Sequence, residues 1–148
     1  MKRLLFLDVD GVLNNIKSNS DLYPESLLLL SNVVAKTQCN IVLSSTWRLY
    51  PETLAELESA FLEYKIPKWI DSTPYLNSQP RSEEIVSWLL ENSKDPTNVV
   101  VLDDDKDAEI QDDLEFIKTS FVQTNFSNGF TFDHAQKVIS LFELYPLS

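Results

Sequence analysis

Phe6-Leu7-Asp8-Val9-Asp10-Gly11-Val12-Leu13-Asn14 decides the fold of this chain, because an apolar run passes directly into two carboxylates and a glycine. Leu4 to Val9 is nearly all apolar, and a run without polar alternation suits a parallel strand covered on both faces. Gly11 follows at once, where the backbone needs a turn that a side chain would obstruct. Two carboxylates at the carboxyl end of a buried strand stand where open α/β sheets bind ligands.

Outward from this stretch, Ile41-Val42-Leu43 and Val99-Val100-Val101-Leu102 repeat the same kind of apolar run, and Phe116 to Val122 is a weaker, alternating strand candidate. Helical spacing fills the intervals. Leu27, Leu30 and Val33/Val34 mark one amphipathic helix, and Leu54, Leu57 and Phe61 mark a second that opens with Pro51 in its first turn. Ile85, Trp88 and Leu89 share a face after Arg81; Ala135, Val138, Ile139, Phe142 and Tyr145 share another after Thr131, an expected N-cap. This βαβα alternation predicts a Rossmann-like open, mostly parallel sheet with helices on both faces, in one domain spanning residues 1–148. Gly129, the only other glycine, reads as a plain surface turn.

A second acidic cluster, Asp103-Asp104-Asp105, ends the Val99–Leu102 run. Asp8, Asp10, Asp103 and Asp104 brought to one sheet edge raise one another's pKa unless a positive charge sits among them. A hard divalent cation meets that need, and an all-oxygen, partly hydrated ligand set suits Mg²⁺. Zinc is disfavoured without a Cys/His cluster. A calcium loop of the EF-hand type fails on spacing, since position 19 is Asn where Glu is required. Ser44-Ser45-Thr46 follows the second apolar run and sets hydroxyls at the same edge, and Arg48 and Arg81 are the cations expected to balance the site.

Composition narrows the function classes. The chain carries 12 Lys+Arg against 23 Asp+Glu, a net charge of −11, which repels anionic membrane surfaces and free nucleic acid at long range. With 43% hydrophobic residues a core of ordinary size is expected. Cys39 stands alone, so no intrachain disulfide forms, and Asp8 and Asp10 interrupt the apolar start before it reaches the length of a leader or a span. A soluble, cytoplasmic protein is the expectation. Trp47, Tyr50, Trp69 and Tyr75 are expected mostly in core packing, Cys39 as a small packing residue, and His134 as a surface residue at a helix N-terminus.

Taken together, Asp8-Val9-Asp10-Gly11-Val12, Ser44-Ser45-Thr46-Trp47-Arg48, Arg81-Ser82-Glu83-Glu84-Ile85 with Trp88-Leu89, and Val101-Leu102-Asp103-Asp104-Asp105 resemble, in order, the four motifs of the haloacid dehalogenase (HAD) superfamily. The closer likeness is to small HAD domains of bacterial hydrolases and modular RNA-repair proteins; Val122-Gln123-Thr124 and Gly129-Phe130-Thr131 also fit it. The third motif departs in carrying Arg81 where Lys is commoner.

The resemblance implies a Mg²⁺-dependent phosphatase in which Asp8 is the nucleophile and forms an aspartyl-phosphate, while Asp10 is the general acid and base. It implies Mg²⁺ held by Asp8, the main-chain carbonyl of Asp10 and Asp104, with Asp103 as orienting partner or alternative ligand. It also implies that Ser44, or Ser45, and Arg81 bind the phosphoryl group, with Arg48 in support. Neither interval where such enzymes insert a cap is long, so an open site is expected. The partner is then a phosphorylated small molecule or macromolecule, a nucleic-acid end being a minor option at this charge. A catalytically idle scaffold and a phosphorylatable, metal-binding signalling module are the alternatives.

Overall fold

The computed structural model describes residues 1–148. Its sheet consists of β1 (Lys2–Leu7), β2 (Asn40–Leu43), β3 (Asp71–Ser72), β4 (Thr97–Asp103) and β5 (Ile117–Gln123), all parallel, in the order β3-β2-β1-β4-β5. The helices are α1 (Pro24–Thr37), α2 (Pro51–Glu63), α3 (Arg81–Asn92) and α4 (Phe132–Glu143). This is the expected Rossmann-like arrangement. The two-residue β3 carries no apolar run and was not foreseen.

Strand side chains alternate between two cores. Leu5, Leu7, Ile41, Leu43, Val100, Leu102 and Val122 face α1, α2 and α4, while Leu4, Phe6, Val42, Val99 and Val101 face α3. Phe6 meets the Trp88 ring edge to face, with centroids 5.6 Å apart. Because both faces are buried, the strands need apolar residues at odd and even positions alike, which is why they read as unbroken runs. Each fully buried Leu, Val or Phe contributes roughly 1.5–3 kcal/mol relative to exposure.

Helix ends follow local chemistry. Pro24 and Pro51 open α1 and α2, where a missing N–H leaves no bond unmade. At α4 the Thr131 amide donates to His134 Nδ1 at 3.1 Å, so this histidine caps its helix in the neutral form, and burial holds its pKa below the ordinary value. Cys39 is buried beside β2, and burial pushes its thiol up to about 11. No helix is long and apolar enough to cross a membrane.

Topology positions the site. The chain runs from β1 to β2 on one side and then crosses to β4 on the other, so the strand order reverses at β1, between two strands that lie in register from Lys2↔Thr97 to Leu7↔Leu102. Loops leaving adjacent strands in opposite directions open a crevice at the carboxyl ends. Asp8 and Asp103 stand at its floor, and the ladder continues beyond the strands through Asp8 N–H to the Leu102 carbonyl (3.0 Å) and Ser44 N–H to the Leu7 carbonyl (3.1 Å).

Gly129 departs from the expected surface turn. It is buried at φ +67°, and a Cβ there would lie 3.1 Å from the carbonyl oxygens of Val12 and Asn14. The Phe130 amide donates to the Val12 carbonyl at 2.8 Å, so this glycine lets the segment after β5 close against the loop that follows β1.

Candidate active site

Asp8, Asp103 and Asp104 each offer a carboxylate oxygen within 4.8 Å of the others. Asp8 and Asp103 are almost fully buried, and Asp104 is half-buried at the mouth. Burial first, and the Asp103 charge second, hold Asp8 well above the ordinary carboxylate range; burial likewise raises Asp104. Three carboxylates held this close could share a metal ion.

Arg81, the first residue of α3, supplies one positive charge. Its Nη1 lies 2.7 Å from Asp103 Oδ2 and 3.2 Å from Asp8 Oδ1. Burial works to lower this guanidinium, yet the two carboxylates outweigh it and raise its pKa above the arginine norm. Asp103 is fixed from both ends, since its Oδ1 also accepts from the Asp105 amide at 3.0 Å. That leaves Asp104 with the freest carboxylate of the cluster.

Gly11 explains how Asp104 reaches Asp8. A Cβ on Gly11 would sit 2.2 Å from Asp104 Oδ2, and the backbone there has φ +77°. The Gly11 carbonyl accepts from Thr124 Oγ1 at 2.6 Å, and its amide donates to Asn14 Oδ1 at 2.9 Å, so the loop cannot retreat. Gly11→Ala is therefore expected to displace the Asp104 carboxylate, weakening divalent-cation binding at least about tenfold and destabilising the fold by roughly 1–3 kcal/mol through the left-handed backbone alone. Cation titration by calorimetry beside urea denaturation reads both effects, and wild-type affinity in the variant would contradict this placement.

Ser44 follows β2 next to Asp8 in the ladder, and its hydroxyl is buried with no hydrogen-bond partner. A buried hydroxyl without a partner is costly. Ser45 differs: its Oγ accepts from the Trp47 amide at 3.1 Å and caps the 3₁₀ turn Thr46–Leu49. The backbone amides of Val9, Asp10 and Ser45 also make no hydrogen bond within the chain. Arg81 also lines a cleft of about 250 Å³, together with Thr46, Tyr75, Ser78, Gln79 and Asp105 among others.

Three expectations are corrected here. Arg48 does not present its guanidinium to the site: Nε donates to the Thr73 carbonyl, Nη1 to those of Ser44 and Ser45, and Nη2 to the Pro74 carbonyl and Glu84 Oε1. All five N–H groups are engaged, so it braces the loop that carries Ser44 rather than a phosphate. The four-carboxylate convergence shrinks to three, because the exposed Asp10 turns its Oδ1 to Trp47 Nε1 (3.0 Å) and Asn14 Nδ2 (2.8 Å). Tyr50 and Tyr75 are exposed rather than in the core.

Trp47 and Asn14 are the residues whose place here sequence reasoning missed. Asn14 closes the first motif and Trp47 the second, so motif membership was a usable signal for both; an indole N–H seeking an acceptor carried no pattern of its own.

With this geometry in view, the family model for the HAD domain in Swiss Army Knife RNA repair proteins matches residues 4–135. The chain belongs to that family. No curated protein and no solved structure matches it. As a HAD domain it has a hydrolase-type scaffold, and its Asp8, Asp103 and Asp104 carboxylates form an acidic cluster fit for a metal ion. The donors are all oxygen, with no His or Cys among them, which suits a hard divalent cation.

Proposed function

We propose that this HAD domain is a Mg²⁺-dependent phosphomonoester hydrolase. The observation that carries the reading is the meeting of a buried Asp8 with two further carboxylates and the guanidinium of Arg81 at the carboxyl end of the sheet. Asp8 and Asp104, with the main-chain carbonyl of Asp10, would hold the cation, and Asp103 orients Arg81 and the cluster. Bound there, Mg²⁺ supplies neutralising charge that lets an anionic substrate approach an anionic nucleophile.

Asp8 attacks phosphorus, the bond to the ester oxygen breaks, and that oxygen leaves with a proton from Asp10. Water then attacks the aspartyl-phosphate, passing a proton to Asp10 as the bond to Asp8 breaks and inorganic phosphate departs. Ser44 Oγ–H and the N–H groups of Arg81 that make no bond in the chain donate to the transferring phosphoryl oxygens. Ser44 is preferred to Ser45 because its hydroxyl has no other partner.

The open mouth, where Asp10 is exposed, and the polar cleft that Arg81 lines support a phosphorylated small molecule or macromolecule as substrate. The family's name brings nucleic-acid ends into consideration, while the net charge of −11 weighs against them. Phosphate release from nucleotides, sugar phosphates and phosphorylated DNA and RNA ends, with Mg²⁺ and with EDTA, tests the reading. Release that needs Mg²⁺ is expected, with Mg²⁺ at a hundred times its Kd stabilising the fold by about 2.7 kcal/mol. Release indifferent to EDTA, or none from any of them, would overturn it.

A further inference from the structure

Asp10 is held in an unusual way for a group assigned proton transfer. Two neutral donors from different parts of the chain converge on the same oxygen, Oδ1: the indole N–H of Trp47 at 3.0 Å and the side-chain amide of Asn14 at 2.8 Å. Both donors are themselves held by further bonds. Trp47 is buried, its amide is held by Ser45 Oγ, and its carbonyl accepts from Thr53 Oγ1 at 2.6 Å. Asn14 is 1% exposed, and the Gly11 amide donating to its Oδ1 fixes which end of the carboxamide faces Asp10. Oδ2 has no partner in the chain.

We propose that Trp47, with Asn14, is a positioning residue that ties down Oδ1 of Asp10 and leaves Oδ2 as the single oxygen that carries the proton to the leaving group. The physical reason is directional. A free carboxyl rotates and shares its proton between two oxygens, whereas two fixed donors on Oδ1 set the plane of the group and keep the O–H on the other oxygen. The indole comes from the loop after β2 and the carboxamide from the loop after β1, so the acid is aligned only when both loops are folded against each other. This rests on the hydrolase reading above and extends it to a residue that touches neither substrate nor metal.

The test is the dependence of rate on the leaving group. Trp47→Phe removes the N–H while keeping an aromatic ring. An ester of a simple alcohol needs a proton at its leaving oxygen, whereas p-nitrophenolate departs without one. Trp47→Phe should therefore lower kcat/KM, which reports the steps up to formation of the aspartyl-phosphate, by about tenfold or more for an alkyl phosphate, within the range general acid catalysis supplies, while kcat/KM for p-nitrophenyl phosphate and the Mg²⁺ affinity stay within about threefold. Equal loss on both esters, or no loss on either, overturns the positioning role and leaves the hydrolase reading standing. Wild-type protein inactive on both esters with Mg²⁺ overturns both.

A second measurement keeps the indole and does not depend on Trp47→Phe folding. In the amide and indole proton exchange of Asp10→Ala, the Trp47 N–H should lose protection, while the Trp88 N–H, which donates to Asp71 Oδ2 at 2.8 Å, should not. Unchanged Trp47 protection would overturn the contact on which the proposal stands.

Discussion

Asp8→Asn is expected to reduce phosphate release by on the order of 10⁴-fold or more, the scale of loss when a covalent nucleophile is removed. The amide is isosteric, so the effect is chemical and not a matter of shape. Metal-free stability should move the other way. Asp8 is raised well above its ordinary pKa by burial and by Asp103, so its ionised form works against the fold. The sign follows: a carboxyl raised in the folded state contributes stability at acid pH and loses it as pH rises toward the folded pKa. At neutral pH Asn escapes that loss, and Arg81 keeps its 2.7 Å contact with Asp103. Without metal, the variant should melt no lower than wild type, and added Mg²⁺ should raise its melting temperature less. Initial rates and thermal melts with and without Mg²⁺ read both, and undiminished turnover would sink the nucleophile assignment.

Arg48→Ala should destabilise the protein by about 3–5 kcal/mol, because it leaves Glu84 as a buried carboxylate without its partner. The pair lies at 3.1 Å with both side chains nearly inaccessible, and Glu84 Oε2 accepts from the Leu76 amide, so its charge cannot turn toward water. Four carbonyl oxygens, those of Ser44, Ser45, Thr73 and Pro74, each lose a side-chain donor as well. Burial pulls the Arg48 pKa down while Glu84 opposes it, as for an ion pair held out of solvent. Arg48→Lys should recover little, since an ammonium cannot reach five acceptors from one plane. Against a typical total of about 5–15 kcal/mol, this is a large share of the stability. A urea midpoint close to wild type in Arg48→Ala would show that the loop holding Ser44 is braced by something else.

The two variants probe different layers of the same edge, and they also show where sequence reading stops. Asp8, Gly11, Asp103 and Asp104 were legible because they sit directly on apolar strand runs, and strand order then leaves little freedom in where they meet. Arg48 was misread because its charge and its place after Ser44 are equally consistent with holding a phosphate and with holding the backbone. Its true partner, Glu84, lies 36 residues away on α3. Gly129 was misread for a related reason: Asn128-Gly129 has the local form of any surface turn, and only the approach of Val12 and Asn14 makes a side chain there untenable.

Trp47 was seen as an aromatic with a core to fill, and it does pack against one, yet its indole N–H also reaches Asp10 across 37 residues of chain. Such contacts have no period and no spacing. They arise from which loops a parallel sheet brings side by side.

By itself, then, the sequence determined the layered α/β fold, the strand ends that carry acid and the glycine that lets two of them approach, because burial on both faces and a positive φ each demand particular residue types at particular steps along the chain. Only the tertiary structure decided how the polar side chains are shared out. Arg81 went to the carboxylates, Arg48 to the carbonyls behind them, Ser44 to no partner and Asp10 to an indole, since a hydrogen bond is won by whichever acceptor the packed loops bring within 3 Å or so.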